Sequence, residues 1–284
     1  MAMSVNTNVG AMAALQALNT TTKGLSTVQS RINTGLAVSS TKDDSASYTI
    51  AQDLRSDLGG LKAVSSSLSR AKSVTDVAIA GAEQISDVVN QMKSLATQAS
   101  DAGATTETRA AYNKDFTALR DQIDTIVNSA DFNGTNLLKT SGGSVSALQS
   151  LNSTTSASYT PDTLSIANQA MSLSSGTASG TLTKTSSISS AANAQAMVST
   201  LETYQTGLKT KLSDLGAASR KIDAQSSFTS KLSDSIESGI GNLVDADLAK
   251  ESAKLQALQV KQQLGVQALS IANQAPSTVT SLFR

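Results

Sequence analysis

Apolar residues recur along this chain every seven positions in several separate stretches. Over residues 11–36, Leu18, Leu25 and Ile32 are seven apart, with Val28 between the last two, and Gly35 then weakens the pattern. From about 46 to 100 one position carries Leu54, Leu61, Leu68, Thr75, Ala82, Val89 and Ala96. The position three later carries Val64, Ala71, Ala78, Ile85, Met92 and Ala99, broken only by Asp57. Such a double line is a coiled-coil-type seam, here lined largely by small residues, on a helix roughly 80 Å long at 1.5 Å per residue. Gly59-Gly60 is a weak point where a bend is expected. A third helix is expected over about 105–129, with Tyr112, Phe116, Leu119, Ile123 and Ile126 as its stripe. Asn133-Gly134 then predicts a tight β-turn.

Residues 140–190 break this order. About half are Ser or Thr, and only short strands are expected, at Ser144–Leu151 and Thr181–Ile188. The heptad resumes with Leu201, Leu208, Leu215, Ile222, Thr229, Ile236 and Leu243. Gly239 and Gly241 mark a joint before a last helix over about 245–274, where Leu248, Leu255 and Leu269 are in register with Leu258 beside them, and Pro276 closes it.

Pairing the first helix with the last, and the second with the fourth, gives a mainly α, rod-like hairpin with a small β element. The expected segments are a terminal helix (1–43), a helical shell half (44–139), a Ser/Thr-rich surface insert (140–190), the second shell half (191–243) and a C-terminal helix (244–284). Ser39-Ser40-Thr41-Lys42-Asp43-Asp44 reads as a helix restart. Ser40 with Asp43, and Thr41 with Asp44, are loose capping-box matches.

Composition narrows the function. Aromatic residues make up 3% of 284, and His, Cys and Trp are absent. Common His or Cys metal sites and Ser-His-Asp or Cys-His catalysis are therefore excluded, and no nucleotide-binding glycine loop occurs. No enzyme activity, metal or cofactor is expected. The carboxylates Asp43 and Asp44, and likewise Asp245 and Asp247, read as helix N-terminal acids rather than as acid–base pairs. Lys and Arg total 22, as do Asp and Glu, and no basic run appears, so nucleic acid is not expected as a partner. No apolar run approaches the ~20 residues that span a bilayer, so membrane insertion is not expected. The first charge is Lys23, so no cationic signal-peptide region precedes it. The Gln256, Gln259, Gln262 and Gln263 face reads as solvated, with contact to neighbouring copies or a wet channel as the alternative.

Two segments resemble the bacterial flagellins. The first is Arg31-Ile32-Asn33-Thr34-Gly35-Leu36 with Lys42-Asp43-Asp44 and Ile50-Ala51. The second is Asp245-Ala246-Asp247, Glu251, Gln259, Gln262-Gln263, Gly265, Leu269, Ala272-Asn273-Gln274, Pro276 and Leu282. Phe132-Asn133-Gly134 with Leu137-Leu138 is similar to the family's turn at the top of its helical domain. Ser47, Thr41 and Ala37 depart from frequent Gly, Ala and Arg.

The resemblance implies a structural subunit that polymerises with itself, or with other flagellins, into the extracellular flagellar filament. Terminal helices would pair as an inner tube, with Leu18, Leu25, Ile32, Leu248, Leu255, Leu258 and Leu269 as assembly seams and Arg31, Gly35, Lys42, Asp43 and Asp44 at the joint. It also implies unfolded export by the flagellar type III pathway without a cleaved signal, a C-terminal-binding export chaperone, and contacts with filament cap and junction proteins. Ser and Thr within 140–190 would carry O-linked sugars, as in related flagellins. Flagellins well detected by the animal innate receptor present Arg, then Leu and Gln, on one patch, where this chain has Gln91, Leu95 and Gln98; weak detection is expected. A hook–filament junction protein, or in a different class a cytoplasmic signalling coiled coil, remains an alternative at this point.

Overall fold

The computed structural model describes residues 7–151, 161–173 and 181–281, and of 275–281 the backbone alone. The elements are α1 (Val9–Thr34), α2 (Ser45–Ala99), α3 (Thr106–Ser129), β1 (Val145–Ser150), β2 (Asp162–Ile166), α4 (Ala191–Val244) and α5 (Leu248–Ser281). The protein is mainly α with one two-stranded antiparallel sheet. It divides into two compact units, one made of the chain ends up to Leu58 and from Asp234, the other of Gly59–Ser233.

The central unit is built on the heptads. Leu61, Val64, Leu68, Ala71, Thr75, Ala78, Ala82, Ile85, Val89, Met92, Ala96 and Ala99 of α2 are all buried, as are Leu201, Leu208, Leu215, Ile222 and Thr229 of α4. Polar Thr75 is tolerated there because its hydroxyl donates to the Ala71 carbonyl at 2.8 Å. Lys72 reaches Asp223 at 2.9 Å and Lys93 reaches Glu202 at 2.9 Å, which fixes α2 and α4 as antiparallel neighbours. On α3, Phe116, Ile123 and Val127 are buried. Arg109 at the start of α3 donates to the carbonyls of Ala99, Asp101 and Ala104, satisfying the end of α2.

The hairpin buries one face. Val145 pairs with Ile166 and Ala147 with Leu164, all four buried, with an irregularity between Leu148 and Ser150. Asn136 and Asn168 hold its approach. Asn136 Oδ1 accepts from the Leu138 and Lys139 amides and its Nδ2 donates to Val127 O, while Asn168 Nδ2 lies within 2.9–3.1 Å of the Asn136, Lys139 and Gly143 carbonyls. The expected turn is present: Asn133 (φ 52°) and Gly134 (φ 79°) both have the positive φ that a type I′ turn requires.

Several sequence expectations are corrected. Gly59-Gly60 does not interrupt α2. A Cβ at Gly60 would lie 2.6 Å from Leu151 Cδ2, so this glycine serves close packing rather than a bend. Helix α4 runs through Gly239 and Gly241 to Val244. Helix α5 continues past Pro276 to Ser281. Residues 181–188 do not form a strand. The Thr183 amide donates to Ser186 Oγ and the Ser186 amide to Thr183 O, so the segment closes a local turn and does not run on as a strand. The second strand is instead Asp162–Ile166. The 140–190 stretch is more than surface, since Val145, Leu164, Met171, Leu173, Leu182 and Ile188 enter the core; its residues 152–160 and 174–180 lie outside the described ones.

Candidate assembly site

In the terminal unit, α1 and α5 lie side by side and antiparallel, and glycines set the register. A Cβ at Gly24 would sit 3.5 Å from Leu258 Cδ1, and one at Gly265 would sit 3.3 Å from Leu18 Cδ1. Small residues thus face large ones across the seam. Leu25 and Val28 are buried, while Leu18, Ile32, Leu255, Leu258 and Leu269 are half-buried. The two stripes read from the sequence therefore belong to this seam, except Leu248, which is 49% exposed.

A second set of apolar side chains lies bare on the same two helices: Val9, Met12 and Leu15 on α1, and Val260, Leu264, Val266 and Ile271 on α5. The sequence reading missed them. Their signal was a set of apolar residues off the heptad line, with Val9, Met12 and Leu15 three apart and Val260 and Leu264 four apart, which a search for a single stripe passes over.

The start of α5 is tied to the end of α1. Gly35 ends α1 at φ 72°, a conformation that glycine adopts without strain, and its amide donates to Arg31 O. Ala37 and Val38 donate to Val244 O, and Ala246 donates to Gly35 O, with a bridge between Leu36 and Asp245. Arg31 Nη1 meets Glu251 Oε1 at 3.3 Å, and Glu251 is buried. Arg31 and Gly35 therefore act together with the α5 start. Asp247 caps α5 through the Ala249 and Lys250 amides, as its position suggested.

Lys42, Asp43 and Asp44 form a turn of their own. Asp44 accepts from the Ala46 and Ser47 amides and so caps α2, in place of the hydroxyl caps expected from Ser40 and Thr41. Asp43 points back instead, its Oδ2 accepting from the amides and hydroxyls of Ser39 and Ser40 at 3.0–3.1 Å. Lys42 is exposed. The Ser39 hydroxyl, followed by the other Ser39 and Ser40 donors, holds the Asp43 carboxyl below its ordinary 3.8. The Ser47 hydroxyl leads the same downward shift at Asp44. Depressed carboxylates favour the fold above the ordinary value, and that contribution is lost as pH falls through the lower folded one. The 39–47 turn is therefore expected to keep its amide protection at pH 4 and to lose it on further acidification, as read by amide exchange. Asp43→Asn should lose protection already at neutral pH.

On the central unit, Gln91 and Gln98 are exposed and Leu95 half-buried. Gln91 and Leu95 border an open groove of about 520 Å³ with Ser94, Asp115, Ala118, Leu119 and Gln122. Of the glutamines on α5, Gln256, Gln259 and Gln263 are exposed and Gln262 half-buried.

A seam between the two ends of one chain, with exposed apolar side chains on both of its helices, and a heptad-packed central unit define a helical protein with no catalytic constellation among the described residues. Residues 5–142 match the model of the bacterial flagellin N-terminal helical region and residues 198–283 that of the C-terminal helical region. The chain is 44% identical over 281 residues to flagellin FljK of Caulobacter vibrioides, covering 99% of this chain and 98% of that one. It is 36% identical over 284 residues to a Brucella melitensis flagellin, covering 99% of each. A solved Bacillus cereus flagellin aligns with TM-score 0.47 at 22% identity, over 56% of this chain and 86% of that one. The chain belongs to the bacterial flagellins. It is a structural subunit of the flagellar filament and not an enzyme. Full-length similarity to flagellins disposes of the junction-protein and signalling-coil readings. Among the described residues, no helix is long and apolar enough to cross a membrane.

Proposed function

We propose that subunits join in the filament through the bare apolar face of the α1–α5 pair, with the seam residues Leu18, Leu25, Ile32, Leu255, Leu258 and Leu269 holding the pair together beneath it. The carrying observation is the exposure of Val9 at 75%, Met12 at 67% and Ile271 at 70% on those helices, against an otherwise well-covered heptad core. Isolated helices of this size are marginal in water, so ordering of the ends is linked to polymerisation. A chain with no cysteine also suits unfolded export through the flagellar type III pathway, with a C-terminal-binding chaperone and with cap and junction proteins as partners. Flagellins FljK and FljM, both from Caulobacter vibrioides and each 44% identical to this chain, support co-assembly with sister flagellins. Filaments sheared from cells, imaged by negative stain and identified by mass spectrometry, test this. Recovery of the protein only from the cytoplasm would refute it.

Sugars on the 140–190 stretch belong to the same reading. Thr140, Ser141, Ser144, Ser146, Thr163, Ser165, Thr185, Ser189 and Ser190 are exposed, whereas Thr183 and Ser186 are buried and hydrogen-bonded to each other. Intact filament protein is expected to exceed its sequence mass by sugar-sized steps mapping to this stretch and sparing Thr183 and Ser186. An unmodified mass excludes it.

Weak detection by the animal innate receptor is the second expectation. The guanidinium that anchors this patch in well-detected flagellins is replaced by the shorter, neutral amide of Gln91. Lys93 offers no substitute, because it is paired with Glu202 at 2.9 Å. Arginine is over-represented among interface hot spots, where truncation costs ~2 kcal/mol or more. Purified monomer should signal weakly in reporter cells, and Gln91→Arg should raise the response. Strong signalling by the unaltered chain would show that the arginine is dispensable.

A further inference from the structure

We propose that Asn8 is a register pin for the terminal helix pair, holding the start of α1 to the Ala272 carbonyl that Pro276 leaves without its helical donor. Both ends of the Asn8 amide are in use. Its Oδ1 accepts from the Ala11 amide at 3.0 Å and so caps α1. Its Nδ2 donates to Ala272 O at 2.7 Å, on α5, and the side chain is half-buried there.

The acceptor is set apart by covalent structure. In a continuous helix the carbonyl of residue 272 takes the N–H of residue 276. Position 276 is proline, which has no N–H, yet α5 runs on to Ser281. Carbonyls earlier in α5 already hold their own i+4 amide. Sliding α5 by one turn toward its C-terminal end would bring such a satisfied carbonyl opposite Asn8, and a second bond to it gains less. The contact also agrees with the rest of the seam. Gly24 faces Leu258, Leu18 faces Gly265 and Gly10 lies by Ala272, each step back along α1 matching a step forward along α5. Apolar contact alone permits slippage between similar leucine positions. A directional bond to the carbonyl whose helical donor Pro276 removes does not.

This inference rests on the terminal pair being the polymer contact, and the readout is the critical concentration for polymerisation of full-length chain. Asn8→Ser keeps a good cap but is too short to reach Ala272. It is expected to raise the critical concentration about fivefold, the loss of about 1 kcal/mol. Pro276→Ala returns the missing N–H to Ala272, so in that background Asn8→Ser should change the value less than about twofold. An equal effect of Asn8→Ser in both backgrounds, no effect in either, or failure of the Pro276→Ala chain to assemble would overturn the pin. A cost-free Asn8→Ser beside a failed Leu25→Asp sinks only the pin, whereas normal assembly of Leu25→Asp sinks the seam itself.

Discussion

A chain comprising residues 44–243 is expected to sediment as a soluble, helical monomer and to form no filament at any concentration at which the full chain polymerises. The central unit carries its own core. Leu68, Ile85, Met92, Phe116, Ile123, Leu137, Leu201 and Leu215 are fully buried within Gly59–Ser233, and the cross-helix pairs Lys72–Asp223 and Lys93–Glu202 lie there too. What is removed is the pair bearing Val9, Met12, Leu264 and Ile271, whose apolar surface is uncovered in the single chain. Burying such side chains contributes roughly 1.5–3 kcal/mol each when complete, so their loss removes most of the drive for subunit addition. Analytical ultracentrifugation and electron microscopy decide it. Filaments of normal yield from 44–243 would remove the terminal helices from the assembly contact.

Leu25→Asp is expected to abolish assembly while leaving the central unit folded. Leu25 is only 7% exposed in the α1–α5 seam, beside buried Val28. Burying a carboxylate there costs on the order of 3–4 kcal/mol. That corresponds to roughly a thousandfold in critical concentration. Leu255→Asp and Leu269→Asp, at half-buried positions, should do less. Thr163→Asp, exposed on β2, should do nothing measurable. The thermal unfolding of the central unit should be the same in all four. Equal filament yield from Leu25→Asp and Thr163→Asp would contradict the seam.

The helical plan was legible because the heptad is a local, repeated signal. Leu61 to Ala96 and Leu201 to Thr229 are buried as their spacing indicates, since a period of seven places every member on one helical face whatever packs against it. The Asn133-Gly134 turn was legible for the same reason, because its chemistry is contained in two residues. The termini were half legible. Their stripes marked the faces that meet, but the bare second set depends on which face the partner helix leaves uncovered.

What required the tertiary structure were contacts between residues far apart in sequence. Gly60 reads as a helix weakness until Leu151 is seen against it, and Thr181–Ile188 reads as a strand until Thr183 and Ser186 bond to each other. Asp43 and Asp44 read as one pair of helix acids, yet one caps α2 and the other closes the turn behind it. Asn8 looks like an ordinary cap, and its second bond becomes visible only when α5 brings Ala272 to it. The sequence alone determined the helices, their faces and the absence of imidazole and thiol chemistry, because periodicity and composition are properties of the chain. The register of the ends, the use of each glycine and the apolar face left open were decided by packing, since each depends on the distance between two segments and not on either one.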